Sequence, residues 1–97
     1  MTTEAQDQSA PACEVRIRQG DKELVVSRVT EFPCRIGRRA DCDIVIDEPS
    51  VSGLHVVLAL LPDRRLQAED QWSTNGIYWE RRRVTQVTID RPMELTL

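Results

Sequence analysis

Aromatic residues are scarce in this 97-residue chain: two Trp, one Tyr and one Phe, or 4%. An apolar core here must therefore be built from Val, Ile and Leu. Cysteines number three, Cys13, Cys34 and Cys42, with no C-x-x-C pair. An odd count at these spacings excludes a disulfide framework and a zinc site, and the thiols read as buried and reduced. No apolar run approaches the roughly 18 residues of a membrane span. No basic segment followed by an apolar one opens the chain, so no signal peptide is expected. These absences point to a cytoplasmic domain, or to a soluble part of something larger, with no membrane partner. A basic excess is lacking too. Net charge is −3, and without Glu4 and Asp7 the remaining 13 basic and 14 acidic groups give −1. A nucleic-acid binder usually shows the opposite balance, so nucleic acid is not an expected partner. Lysine occurs once, as Lys22, against twelve arginines, whose forked donors suit phosphate.

Helical periodicity is missing as well, and short strands take its place. A chain of this length fits one domain. Residues 1–12 are polar, small and unpatterned, as expected of a disordered tail. From Cys13 onward, Val15 and Ile17 alternate with Glu14, Arg16 and Arg18 at a period of two. A turn at 19–22 precedes a strand around Leu24–Val26. Further strands are expected at Phe32–Ile36, Asp43–Ile46, Leu66–Glu69, Ile77–Trp79, Val84–Ile89 and Met93–Leu97. The apolar run Leu54–Leu61 reads as a central strand buried on both faces, and PDRR at 62–65 as a turn. Strands at this spacing, divided by turns, predict an all-β fold, an antiparallel sandwich or barrel.

Three polar clusters interrupt the strands: residues 36–39, 50–55 and 70–76. Loops at one end of a sandwich can converge although they are distant in sequence. Arg38 offers a planar guanidinium able to hold phosphate with two hydrogen bonds. Ser52 and Thr74 offer hydroxyls, loop N–H groups can form an anion nest, and Asn75 can grip a peptide backbone. Taken alone, Ser73-Thr74-Asn75-Gly76 reads as a plain hairpin turn, and the other two clusters reverse that reading. A hydrolase built on Ser52, His55 and Asp70 is disfavoured, because no Gly-x-Ser-x-Gly elbow surrounds the serine. The chain is read as no enzyme, with no cofactor and no metal site. His55, the sole histidine, reads as structural, Arg81–Arg83 as a solvated hairpin, and Trp79 as packing.

Gly37-Arg38, Ser52-Gly53-Leu54-His55 and Asp70-Gln71-Trp72-Ser73-Thr74-Asn75-Gly76, in this order and with Asp43-Ile44 between, resemble the forkhead-associated (FHA) domain family over residues 13–97. The resemblance implies a β-sandwich of about ten to eleven short strands that binds phosphothreonine in partner proteins. It implies that Arg38, Ser52 and Thr74 contact phosphate and that Asn75 holds the neighbouring backbone. Gly37 would permit a tight turn, Gly76 the turn after Asn75, and His55 would fix the loops. The implied partner is a phosphothreonine-containing protein or peptide, a Ser/Thr kinase or its substrate.

Several positions depart from the family pattern. Gly53 stands where Arg, Asn or Lys is usual, which removes a donor that Arg39 could partly replace. Trp72 stands where a small residue is common, and Pro92-Met93 replaces a frequent Gly-Asp. The sequence ends inside a strand pattern, so a fragment of a longer protein is expected, lacking the last strand that normally pairs near the first. An open edge there would favour the alternative function, a phosphate-independent assembly or self-association domain. Thr2 or Thr3, if phosphorylated, could supply a ligand to another copy.

Overall fold

The structure, a computed structural model, describes residues 13–89 and 93–97. The stretch read as a tail, with Thr2 and Thr3, lies outside the described residues, as does Pro92. Strands run as β1 (Cys13–Gln19), β2 (Lys22–Val29), β3 (Cys34–Gly37), β4 (Ile44–Val45), β5 (Val56–Leu60), β6 (Leu66–Asp70), β7 (Ile77–Trp79), β8 (Arg82–Val84), β9 (Gln86–Ile89) and β10 (Met93–Thr96). Among the described residues there is no helix. One sheet has the order β2-β1-β10-β7-β8 and the other β4-β3-β5-β6-β9. The all-β sandwich expected from the strand spacing is therefore present.

Two pairings depart from an antiparallel plan. β3 and β4 run parallel, as do β1 and β10. β10 also pairs antiparallel with β7, so it occupies the place beside β1. The open edge expected next to the first strand is closed. The run from Val84 to Ile89 is divided: β8 pairs with β7 in one sheet, and β9 with β6 in the other. Thr85 carries the crossing, and its carbonyl accepts the Asp70 N–H at 2.9 Å.

Period-two patterning places the core. Val15 and Ile17 of β1 and Leu95 of β10 are fully buried, facing Ile36 of β3 and Val56 and Leu58 of β5. Each such side chain contributes about 1.5–3 kcal/mol through removal from water. Along β5 the neighbours Val57 and Ala59 are only half-buried. The strand is central but faces the core on one side, which corrects the expectation of burial on both. In the 62–65 turn, the Arg65 main-chain and side-chain N–H groups bond the Asp63 carboxylate at 3.1 and 2.8 Å. These bonds, the backbone one first, hold that carboxyl below its ordinary range.

Cys34 lies in the core. Burial first, then the charges of Asp43 and Cys42, pushes its thiol from 9.0 up to about 11. An unfolded chain ionises this thiol at lower pH than the folded one, so its contribution is intact below about 9 and is lost as pH rises toward 11. Urea unfolding across that window should show a steeper decline for wild type than for Cys34→Ala.

The β7–β8 hairpin closes through Glu80 and Arg81, both with positive φ, 52° and 68°. A two-residue loop with that geometry favours Asn-Gly, and a bulkier residue there costs on the order of 1 kcal/mol. Glu80→Asn combined with Arg81→Gly should raise the free energy of unfolding by about 1 kcal/mol, read from denaturant midpoints.

Candidate functional site

The three polar clusters meet at one end of the sandwich, and main-chain hydrogen bonds lock the first two together. Arg38 N–H donates to the Ser52 carbonyl and Arg39 N–H to the Gly53 carbonyl, each at 3.0 Å. Such close approach leaves no room at Gly37, where a Cβ would fall on the Gly53 carbonyl oxygen. Gly37 does not have positive φ, so its role is backbone proximity and not the tight turn expected from the sequence.

His55 joins the second cluster to the third. It is fully buried. Its Nδ1 accepts the Ser52 N–H at 3.1 Å, so that nitrogen carries no proton. Nε2 then carries the hydrogen and donates to the Gly76 carbonyl at 2.8 Å. The His55 carbonyl takes the Gln71 N–H at 2.9 Å. Both ring nitrogens of this histidine are thus engaged in bonds to the backbone of the two loops.

Further bonds shape the third cluster. The Asp70 carboxylate accepts the Ser73 hydroxyl and N–H, and the Ser73 hydroxyl oxygen accepts the Gly76 N–H at 2.9 Å. This consumes Ser73 and Asp70 as scaffold. Ser52 Oγ accepts the Thr74 N–H at 3.1 Å, and Asn75 Nδ2 donates to the Ser50 carbonyl at 2.9 Å. Ser50 is itself tied to Gln19 of β1, and Glu48 to Lys22 at 3.1 Å. Gly76 has φ +80°, the left-handed turn expected after Asn75.

Arg38, Arg39, Ser52, Gly53, Thr74 and Asn75 therefore share one hydrogen-bonded loop system, with Gly37, His55 and Gly76 beneath it. The N–H groups of Arg38, Arg39, Ser52, Thr74 and Gly76 are already engaged. A backbone anion nest is thus mostly used up. The side-chain donors that remain are the Ser52 and Thr74 hydroxyl hydrogens and the exposed Arg38 guanidinium, which has no ion-pair partner among the described residues. Arg39 differs, since its Nε meets Asp41 at 3.1 Å. Its Cγ and Cδ lie 3.1 and 3.3 Å from where a Cβ on Gly53 would stand, so the Arg39 stem fills the space that a side chain at 53 would take.

Two features were not foreseen from the sequence. A Cβ on Gly76 would strike the Arg83 guanidinium, with Cζ at 2.8 Å, so Arg83 reaches back over the third cluster. Its signal lay in the β7–β8 register: Tyr78 faces Arg83, which sets Arg83 diagonal to position 76. Trp72, singled out in the sequence as standing where a small residue is common, is 98% exposed, and its φ of 56° is what the sequence did not announce.

Replacing His55 with Ala strands the Ser52 N–H and the Gly76 carbonyl and opens a cavity. The loss should be about 3 kcal/mol in urea unfolding. Hydrogen exchange at the Ser52 and Thr74 amides should accelerate at the same time.

Comparison with known proteins agrees with this geometry. Among curated proteins, none matches the sequence. The fold is similar to that of Mycobacterium tuberculosis EmbR in complex with a low affinity phosphopeptide, at TM-score 0.66 and 24% identity, over 91% of this chain and 24% of that one. This chain thus spans about a quarter of the EmbR chain. Mycobacterium tuberculosis Rv1747 FHA-1 matches at TM-score 0.62 and 27% identity, over 82% and 78% of the two chains. The FHA domain of CT664 from Chlamydia trachomatis matches at 0.60 and 25%, over 66% and 67%. The family model described as FHA domain matches residues 34–96, which contain all three clusters, and the chain belongs to the FHA domain family.

Proposed function

We propose that residues 13–97 form a phosphothreonine-dependent protein–protein interaction module that captures phosphorylated partner peptides in Ser/Thr-kinase signalling. The observation that carries this reading is the Arg38 guanidinium, exposed and without an ion-pair partner among the described residues, on a loop bonded to the Ser52 loop that in turn holds Thr74. A phosphate with nearly two negative charges at neutral pH is the natural partner of that fork. Ser52 Oγ has one lone pair occupied by the Thr74 N–H and its hydrogen free to donate. The Thr74 hydroxyl donates beside it. Asn75, steadied through Nδ2 by Ser50, offers its carboxamide oxygen to the ligand backbone. Gly53 brings no side chain, and Arg39, lying across it, supplies positive potential in its place.

Selection of threonine over serine comes in this reading from burial of one methyl, worth about 1 kcal/mol. Binding of this kind requires neither a nucleophile nor a general base, and His55 spends both ring nitrogens on loop backbone. EmbR, with the same fold, is known bound to a phosphopeptide, which supports a phosphorylated ligand here. In this reading the partner is a Ser/Thr kinase or its substrate, met in the cytoplasm. The assembly alternative draws on Gly53 and on an open edge beside β1; β10 fills that edge, and Gly53 remains its ground.

Calorimetric titration with phosphothreonine, phosphoserine and unphosphorylated peptide libraries tests the reading. Binding should be confined to phosphothreonine and should weaken as salt is raised. Arg38→Ala should lower affinity at least about a hundredfold, since truncating a charge-paired contact costs roughly 3 kcal/mol. Equal affinity for unphosphorylated peptides, or an unaffected Arg38→Ala variant, would refute it.

A further inference from the structure

Trp72 stands where the local physics asks for something else. Its φ of 56° is in the region that favours glycine, yet it is the largest side chain available. The indole is 98% exposed. Nothing in the fold offsets either cost. The residues around it are fixed: Gln71 by the His55 carbonyl, Ser73 by Asp70, Thr74 by Ser52. The backbone at Trp72 is thus held between bonded neighbours, with the indole presented to solvent. Trp is also the residue type most enriched among side chains that dominate binding energy.

We propose, resting on the phosphopeptide reading above, that Trp72 is a specificity-determining residue that packs against an aliphatic or proline side chain of the same phosphorylated segment. Position identifies the occupant. Two peptide units separate Trp72 from Thr74, a span of at most about 7 Å. A segment extended at about 3.3 Å per residue, with its phosphate at Arg38, Ser52 and Thr74, reaches the indole within two or three residues. Charge agrees with an apolar contact, since the nearest carboxylate in sequence, Asp70, is committed to Ser73.

The test uses the full chain and its Trp72→Gly variant against a phosphothreonine peptide library scanned one flanking position at a time, with an unphosphorylated copy of the library. Glycine suits the backbone at 72, so the variant should melt no lower than wild type, and Trp72→Ala serves as a second variant. Wild type should select an aliphatic residue or proline at one flanking position. Both variants should keep the demand for phosphate, lose that selection and bind the best peptide at least about tenfold more weakly. Unchanged selectivity and affinity in the variants would overturn the proposal while leaving the phosphate reading intact. Binding that ignores phosphate but still requires Trp72 would overturn the phosphate reading and keep the apolar platform. Dimers in light scattering that dissociate in Trp72→Gly, with no change in peptide selectivity, would reassign the indole to a second copy and overturn the proposal.

Discussion

No strand pairing directly connects the 50–55 loop with the 70–76 loop. The buried imidazole of His55 bridges them, with one nitrogen on the Ser52 N–H and the other on the Gly76 carbonyl, and the bonds from Gln71, Thr74 and Asn75 to His55, Ser52 and Ser50 add to it. The 50–55 loop also leans on β3 and the two residues that follow it, through the Arg38 and Arg39 N–H groups on one side and the His55 N–H to the Ile36 carbonyl on the other. A buried polar group this well satisfied restricts the loops to one arrangement, because any other leaves backbone groups stranded in the interior. The Ser52 hydroxyl, the Thr74 amide and the Asn75 side chain take their places as consequences of that constraint.

The division of labour that results is unusual in its cleanness. Main-chain groups and the side chains of His55, Ser52, Ser73, Asp70 and Asn75 hold the loops together, and Arg38, Thr74 and Trp72 are exposed. Ser73 and Asp70 belong wholly to the scaffold, although in sequence they look as ready to bind a ligand as Thr74 and Asn75. Arg39 and Gly53 are likewise best understood together: the absent side chain at one position makes room for the stem of the other. The side chains of Arg38, Trp72 and Thr74 can then be changed without disturbing the bonds that set loop shape.

Much of the fold was legible in advance because alternation in β1 and β6 is strict and the turns carry strong signals. The misreadings have specific causes. Leu54–Leu61 looked buried on both faces since half-buried Val57 and Ala59 are as apolar as their fully buried neighbours. Val84–Ile89 looked like one strand because nothing in Thr85 announces a change of sheet. The pairing of β10 with β1 is a long-range contact that no local pattern encodes. At the site, the order Gly-Arg, Ser-x-x-His, Ser-Thr-Asn-Gly located the loops. Only coordinates could distinguish Gly37, which permits close approach, from Gly76, which permits a left-handed turn. Arg83 was hidden because its contact depends on cross-strand register.

The crossing at Thr85 has a wider effect. Strands β8 and β9 are separated by a single residue yet belong to different sheets, and the Thr85 carbonyl is pinned by the Asp70 amide. Neither layer can peel away without dragging the other's edge strand with it. Fraying at one edge is thus communicated to the opposite layer, and the two sheets melt as a single cooperative unit.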